Sequence, residues 1–415
     1  VSAAVETEQP PPLEVAQGIA FGIARRALWH EDRCAWFDAV PPMSLGANPA
    51  VSVAGGFDVY GGSAGIGLFL AQAAARTGDG TLRRTARGAL LQALSRCERE
   101  PKAPKLGFYG GNAGSAAAAV LAGRELGDDE LVSRGLALLR LAPLVTNDPM
   151  ASDLVAGTAG TLLALVVAAR SSGDDALLAR GREAARMLIG IGRRGPGGTL
   201  SWNTMPDALG DLTGFAHGSA GNAYALLVLH AVVPDDALAG AVRGALAYEA
   251  STYSTQHGNW PDLRWFGGPR TASYTNAWCH GAIGIVRARL LAERLGFPVR
   301  ADVDAALRTV ATHVEVILGD PSFDTTLCHG LFGAVDALLD GVRAGRTEYE
   351  PLIARAVAQT TERHHVNDWP WPSGLLSREQ IDGLMMGTAG IGHVFLRLAD
   401  PSLESVLAPA GAPSG

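Results

Sequence analysis

Seven copies of the pattern G-x-x-G run through this 415-residue chain, at Gly62–Gly65, Gly111–Gly114, Gly157–Gly160, Gly218–Gly221, Gly281–Gly284, Gly330–Gly333 and Gly387–Gly390, their first glycines 46 to 63 residues apart. One copy would carry no information. Seven in series restrict the architecture, because a repeat of this length is a supersecondary unit that buries its apolar face only by packing on its neighbours. After each copy comes a weakly charged apolar stretch, such as GTLLALVVAAR from Gly160 or GSAAAAVLAGREL from Gly114. A helix apolar nearly all round has to be buried on most faces. Between these lie segments charged on one side, such as TLRRTARGALLQALSRCERE from Thr81, which read as outer helices.

The junctions Gly78-Asp79, Gly127-Asp128 and Gly173-Asp174 set a left-handed glycine directly before an N-capping Asp, so inner and outer helices alternate through tight turns. Alternating β-branched runs are scarce and aromatics make up only 6%. The expected fold is all-α: an α/α toroid, or double α-barrel, of seven inner and seven outer helices. The expected boundaries are a disordered N-terminal tail over residues 1–12, the toroid over 13–405 and a C-terminal tail over 406–415. An apolar content of 47% with 18% charged residues agrees with one well-packed body. A net charge of -7 argues against a nucleic-acid partner. The apolar runs are too short for membrane insertion, and the polar, Pro-rich start VSAAVETEQPPPLE is no secretory signal, so the reading is of a cytoplasmic protein.

If the inner helices converge, the residues just before each G-x-x-G share one end of the barrel. In register, the two preceding residues are Tyr60-Gly61, Tyr109-Gly110, Val155-Ala156, Ala216-His217, Cys279-His280, Cys328-His329 and Met385-Met386. Cys279 and Cys328 thus stand at equal height on neighbouring helices, half of the four cysteines in the chain. Thiolate and imidazole are ligand types that Zn²⁺ prefers, and one of His280 and His329 would add a third. Three protein ligands leave a fourth position open, as in catalytic zinc sites. The plain structural alternative is a pair of buried thiols at helix starts. His217 stands in register with the cysteine repeats. Asp153, four residues before Gly157, is either an N-cap or a partner for a His or substrate group. His364 and His365, in a long loop with no cysteine beside them, read as solvated surface.

With TGFAHGSAG, NAWCHGAIG, TLCHGLFG and GLMMGTAG as its most specific pieces, the chain resembles the lanthionine synthetase C-like cyclases over nearly its whole length. The resemblance implies a zinc held by Cys279, Cys328 and His329, with His280 at a position treated as catalytic or substrate-facing. The implied reaction is a Michael-type addition of a peptide cysteine thiol to a dehydroalanine or dehydrobutyrine, closing a (methyl)lanthionine thioether ring. His217 and His280 are then candidates for the proton transfer that ends the addition, and Asp153 for orienting one of them. The implied substrate is a dehydrated precursor peptide, leader plus core, supplied by a dehydratase or kinase/lyase partner, separate or fused. One departure stands out: many members carry Arg four residues before the first zinc cysteine, where this chain has Thr275, so Arg264 or Arg270 would have to supply the positive charge. Three other readings share these residues in part: addition of glutathione to dehydrated proteins, a prenyltransferase-like toroid, and a silent scaffold. The second lacks an Asp in register, and the intact Cys279, Cys328, His329 and His217 argue against the third.

Overall fold

Each G-x-x-G opens an inner helix. The computed structural model describes residues 9–40, 51–99, 105–144, 151–320, 322–373 and 380–411. Chain order sets α1 (Pro12–Arg25) first, then inner and outer helices in turn. The inner helices are α2 (Ser63–Thr77), α4 (Asn112–Leu126), α6 (Thr158–Ser172), α8 (Ser219–Val232), α10 (Ala282–Arg294), α12 (Leu331–Arg343) and α14 (Thr388–Ala399). The outer ones are α3 (Gly80–Arg99), α5 (Asp129–Leu141), α7 (Asp175–Ile191), α9 (Asp236–Thr252), α11 (Arg300–Leu318) and α13 (Glu350–Thr361). Every inner helix touches the next, and α14 touches α2, so the ring is closed. The outer partner of α14 comes from the beginning of the chain: α1 packs on it and completes the sleeve.

Residue pattern explains the two layers. From Ser63 to Ala74 and from Thr158 to Ala169 every residue is buried, whereas α5 buries only the stripe Leu131, Gly135, Leu139. Gly78, Gly127 and Gly173 take φ of 70°, 63° and 75° at the ends of inner helices. The following Asp79, Asp128 and Asp174 accept main-chain N–H bonds at the start of the outer ones, as the Gly-Asp junctions predict. Short antiparallel pairs complete the described residues: β1 (Leu28–His30) with β2 (Arg33–Ala35), β3 (Phe37–Val40) with β4 (Val51–Ala54), and β5 (Arg193–Arg194) with β6 (Leu200–Ser201). Among the described residues no helix is long and apolar enough to cross a membrane.

At the glycine end the seven repeats are joined by main-chain hydrogen bonds that form a closed girdle. Tyr60 N–H donates to Tyr109 O (2.9 Å), Gly110 to Val155 O (2.9 Å), Leu154 to Ala216 O (3.2 Å), Ala216 to Cys279 O (3.2 Å), Trp278 to Cys328 O (2.7 Å), Cys328 to Met385 O (2.9 Å), and Met385 back to Tyr60 O (2.8 Å). In every repeat the acceptor is the residue two before the first glycine. The second glycine of each G-x-x-G follows from the same geometry. A Cβ there would lie 1.5 to 2.1 Å from the carbonyl oxygen six residues earlier, in all seven repeats. The glycines are therefore required by close approach of each repeat's own loop, beyond the crowding of helix ends.

The expected C-terminal tail is corrected from residue 406 to 411. These residues plug the barrel, with Val406, Leu407 and Ala410 buried. The main-chain carbonyls of Val406, Leu407 and Ala408 accept bonds from Tyr109 Oη (3.0 Å), Trp278 Nε1 (3.0 Å) and Tyr224 Oη (2.6 Å). Buried tyrosine and tryptophan need polar partners, and a low-charge segment with few long side chains supplies them. Residues 412–415 lie outside the described residues, as do residues 1–8 of the expected N-terminal tail; Pro12 already belongs to α1.

The girdle geometry gives a direct contrast. Gly114→Ala, whose Cβ would meet Phe108 O at 1.5 Å, is expected to destabilise the protein by about 3 kcal/mol. Gly240→Ala, within α9 and with nothing near its Cβ, should stabilise by about 0.5 kcal/mol. Equilibrium denaturation of both variants checks the pair.

Candidate functional site

The girdle surrounds a cavity of about 690 Å³ at the glycine end, lined among others by Asp58, Tyr60, His217, Arg264, Thr275, Cys279, Cys328 and His329. Four of the six expected site residues thus meet in one wall: His217, Cys279, Cys328 and His329. The two thiols are neighbours in this wall. Hydrogen bonding from Cys328 holds Cys279 down to about 6 against the cost of burial, helped by the charges of Arg264, His217 and His329. The same hydrogen bond, with burial, pushes Cys328 up. Tyr60 Oη donates to Cys328 Sγ at 3.0 Å. Burial and the neighbouring thiols raise the Tyr60 phenol far above its ordinary value, so the hydroxyl keeps its proton.

Two histidines are held by carboxylates in the same manner. Asp153 Oδ2 lies 2.7 Å from His217 Nδ1, while its Oδ1 accepts the Ala156 N–H at 2.7 Å. Asp153 is thus the histidine partner and an acceptor in the turn before α6, while the N-cap of α6 is Gly157, with no side-chain cap bond. Burial opposes protonation of His217, but the bond to Asp153 and its charge outweigh it and raise the pKa. His329 Nδ1 meets Asp324 Oδ2, whose other oxygen accepts the Thr326 N–H at 2.7 Å. That bond raises His329 as well. In both cases the occupied Nδ1 leaves Nε2 for another partner.

His280 is placed differently. It occupies the same register as His217 and His329, yet its ring is 0% exposed and does not line the cavity. The cause is the backbone at Gly281, whose φ is +87° where the first glycine of every other repeat has a negative φ. Only glycine adopts that conformation readily, and there the His280 carbonyl accepts the Ala277 N–H at 3.0 Å. The expectation of a substrate-facing His280 is corrected accordingly. The ring stacks beside His217 with centroids 6.0 Å apart, and neither of its nitrogens has a hydrogen-bond partner among the described residues. Burial, then the charge of Arg264, hold it down to about 3, so it is neutral.

Arg264 is the cation that the long connection before Cys279 carries into the wall. Asn259 shapes that connection, taking the Ala282 N–H at the start of α10 (3.0 Å) and donating to Thr275 O (3.1 Å). A bridge between Asp262 and Ser273 folds the segment back. Asp262 clamps the guanidinium at 2.7 Å. Arg270 instead lies over the Trp265 ring and is absent from the lining. His364, expected on the solvated surface, is buried against Trp371 with ring centroids 4.7 Å apart.

The chemistry of the donor set bears on the metal that the resemblance implies. Among the described residues no three His, Cys, Asp or Glu side chains are gathered closely enough to make a finished cage. The donor chemistry nevertheless fits zinc: two neighbouring thiols, one with a depressed pKa, and beside them in the same wall an imidazole whose Nδ1 is fixed and whose Nε2 is available. Sequence reasoning missed Asp324 and Tyr60. Asp324 carried a weak signal, since Asp followed by two Thr suggests a side-chain-capped turn; Tyr60 carried only its register.

A profile of lanthionine synthetase C-like proteins matches residues 54–409. Among solved structures, nisin cyclase superposes with a TM-score of 0.59 at 17% identity, covering 84% of this chain and 89% of that one. An unsaturated glucuronyl hydrolase from Bacillus sp. GL1 reaches a TM-score of 0.40 at 15% identity over 75% of this chain and 85% of its own, too loose a likeness to carry an argument. No curated protein matches. The nisin cyclase structure shares the fold, and the profile spans most of the sequence: the chain belongs to the lanthionine synthetase C-like family.

Proposed function

We propose that this protein is a zinc-dependent lanthipeptide cyclase, adding peptide cysteine thiols to dehydroalanine or dehydrobutyrine residues of a dehydrated precursor peptide. The observation that carries the reading is the meeting of Cys279, Cys328, His329, His217 and Arg264 in one cavity wall. Cys279, Cys328 and His329 Nε2 would hold the metal. Bound Zn²⁺ supplies a means of keeping a substrate thiol deprotonated at neutral pH.

The remaining steps fall to the chain's own groups. When the substrate sulfur bonds to the β-carbon of the dehydro residue, the C=C electron pair moves toward the carbonyl and makes an enolate. Arg264 faces the same cavity and offers its charge to the enolate oxygen, the task left vacant by Thr275. His217, whose hold on a proton Asp153 strengthens, delivers a proton from Nε2 to the α-carbon. His280 supports this from behind, as a neutral ring that limits rotation of His217. The proton given up by the substrate thiol passes through solvent to restore His217, so the sum is addition of S–H across C=C with no change in mass.

The cyclase unit is proposed to run from residue 13 through the plug to residue 411 rather than to 405. Among the described residues no disulfide joins two cysteines, which suits a reducing, cytoplasmic setting. A dehydratase or a kinase/lyase, separate or fused, would supply the peptide.

A dehydrated precursor incubated with the protein and zinc should lose alkylatable cysteine at constant mass, without added thiol. Gain of a glutathione mass only when that thiol is supplied would replace ring closure with protein repair; neither change, at full zinc occupancy, would favour a scaffold.

The pH dependence of this assay separates proton transfer from metal binding. Because Asp153 raises the His217 pKa, the proton-donating form survives above the usual histidine range and activity falls only as pH rises through the raised value. Asp153→Asn lowers that pKa, so the alkaline limb should move to lower pH and the rate fall by roughly 10²-fold, with zinc content unchanged. Loss of zinc in Asp153→Asn would contradict the assignment.

A further inference from the structure

We propose that Tyr60 is a positioning residue for the sulfur pair, its hydroxyl donating to Cys328 Sγ so as to orient that sulfur and tune it as a metal ligand. The inference rests on the ligand assignment proposed above and adds a residue that the sequence motifs do not mark.

The seven residues two before each first glycine form one tier of the barrel, and two of them are tyrosines. Tyr109 points its hydroxyl at Val406 O, into the plug (3.0 Å), and packs edge-on against Trp278. Tyr60 points its hydroxyl at Cys328 Sγ, 3.0 Å away, and among the described residues this is the hydrogen bond that the hydroxyl makes. Met385, the tier residue of the intervening repeat, has no side-chain donor to offer that sulfur.

Both ends of the contact are set by main chain. Tyr60 donates its N–H to Tyr109 O and accepts the Met385 N–H. Cys328 donates its N–H to Met385 O and accepts the Trp278 N–H. The O–H···S bond therefore spans two anchored points of the girdle, and little has to be ordered to form it. The two sulfurs also differ in their surroundings: Cys328 Sγ accepts the Tyr60 hydroxyl at 3.0 Å, whereas no hydroxyl donates to Cys279 among the described residues, and Cys279 shares the cavity lining with Arg264, His217 and His329. A donated hydrogen bond draws electron density from a thiolate, which eases its deprotonation, weakens its donation to a metal and fixes the direction of its remaining lone pairs.

The test uses the full chain with cobalt in place of zinc. In wild type a thiolate-to-cobalt charge-transfer band is expected. Tyr60→Phe, checked for unchanged helical circular dichroism, should move that band to lower energy and weaken zinc affinity at neutral pH by ~10-fold in competition with a chelator. Site-specific difluorotyrosine in place of Tyr60, a stronger donor of similar shape, should move the band the other way; it carries the test alone if Tyr60→Phe does not fold. A band and affinity unmoved by these replacements would overturn the role of Tyr60 while leaving the ligand assignment intact. Absence of any thiolate-to-cobalt band in wild type would overturn both.

Discussion

The closed circuit of main-chain hydrogen bonds at the glycine end is the constraint on which the rest of this structure depends. Each repeat lends one carbonyl to the preceding repeat, and the last is tied back to the first through Met385 N–H and Tyr60 O. Because these groups are main chain, the circuit tolerates Tyr, Val, Ala, Cys or Met at the acceptor position. It demands glycine where the inner helix begins, because the loop carbonyl six residues earlier occupies the space of a Cβ. A buried main-chain group left without a partner is costly, so the circuit fixes the height of every side chain in the tier. Chemistry can then vary freely around a fixed frame.

Within that frame the wall of the cavity is asymmetric. Repeats 5 and 6 supply thiols, repeats 4 and 6 supply histidines braced by Asp153 and Asp324, and the connection before repeat 5 brings in Arg264. Charge is arranged so that each group has a use for its neighbour. Arg264 helps hold Cys279 down and His280 neutral, while its own charge is clamped by Asp262. The reversed backbone angle at Gly281, alone among the first glycines of the seven repeats, takes His280 out of the wall and sets it behind His217. Opposite the cavity, the C-terminal segment supplies the carbonyls that Tyr109, Tyr224 and Trp278 need, so the floor of the site rests on the plug.

The two layers of helices and their order were legible because their causes are local: an all-round apolar pattern, an αL glycine before a capping Asp, and a glycine under a carbonyl of its own loop. The residue types of the wall were legible from register alone, since Cys279, Cys328, His217 and His329 share positions set by the girdle. What escaped the sequence depended on information that residue identity does not hold. Gly281 is compatible with either sign of φ, so nothing in NAWCHGAIG tells that His280 turns inward. The plug acts through main-chain carbonyls, which every residue has. Asp324 reaches back from a turn, and Tyr60 reaches across an intervening repeat, distances that a motif does not encode. Arg264 was one of two candidates until the fold of its connection separated it from Arg270.

The proposed chemistry requires that the sulfurs of Cys279 and Cys328 and the Nε2 of His329 converge on one zinc at the mouth of the barrel. Anomalous scattering from crystals of the zinc-loaded protein, measured on either side of the zinc absorption edge, tests it most directly. The account predicts a single strong peak within bonding distance of those three atoms, with His217 and His280 outside the coordination sphere. A peak bonded to His217 or His280 in place of His329, or no peak between the two sulfurs in protein shown to contain zinc, would contradict it.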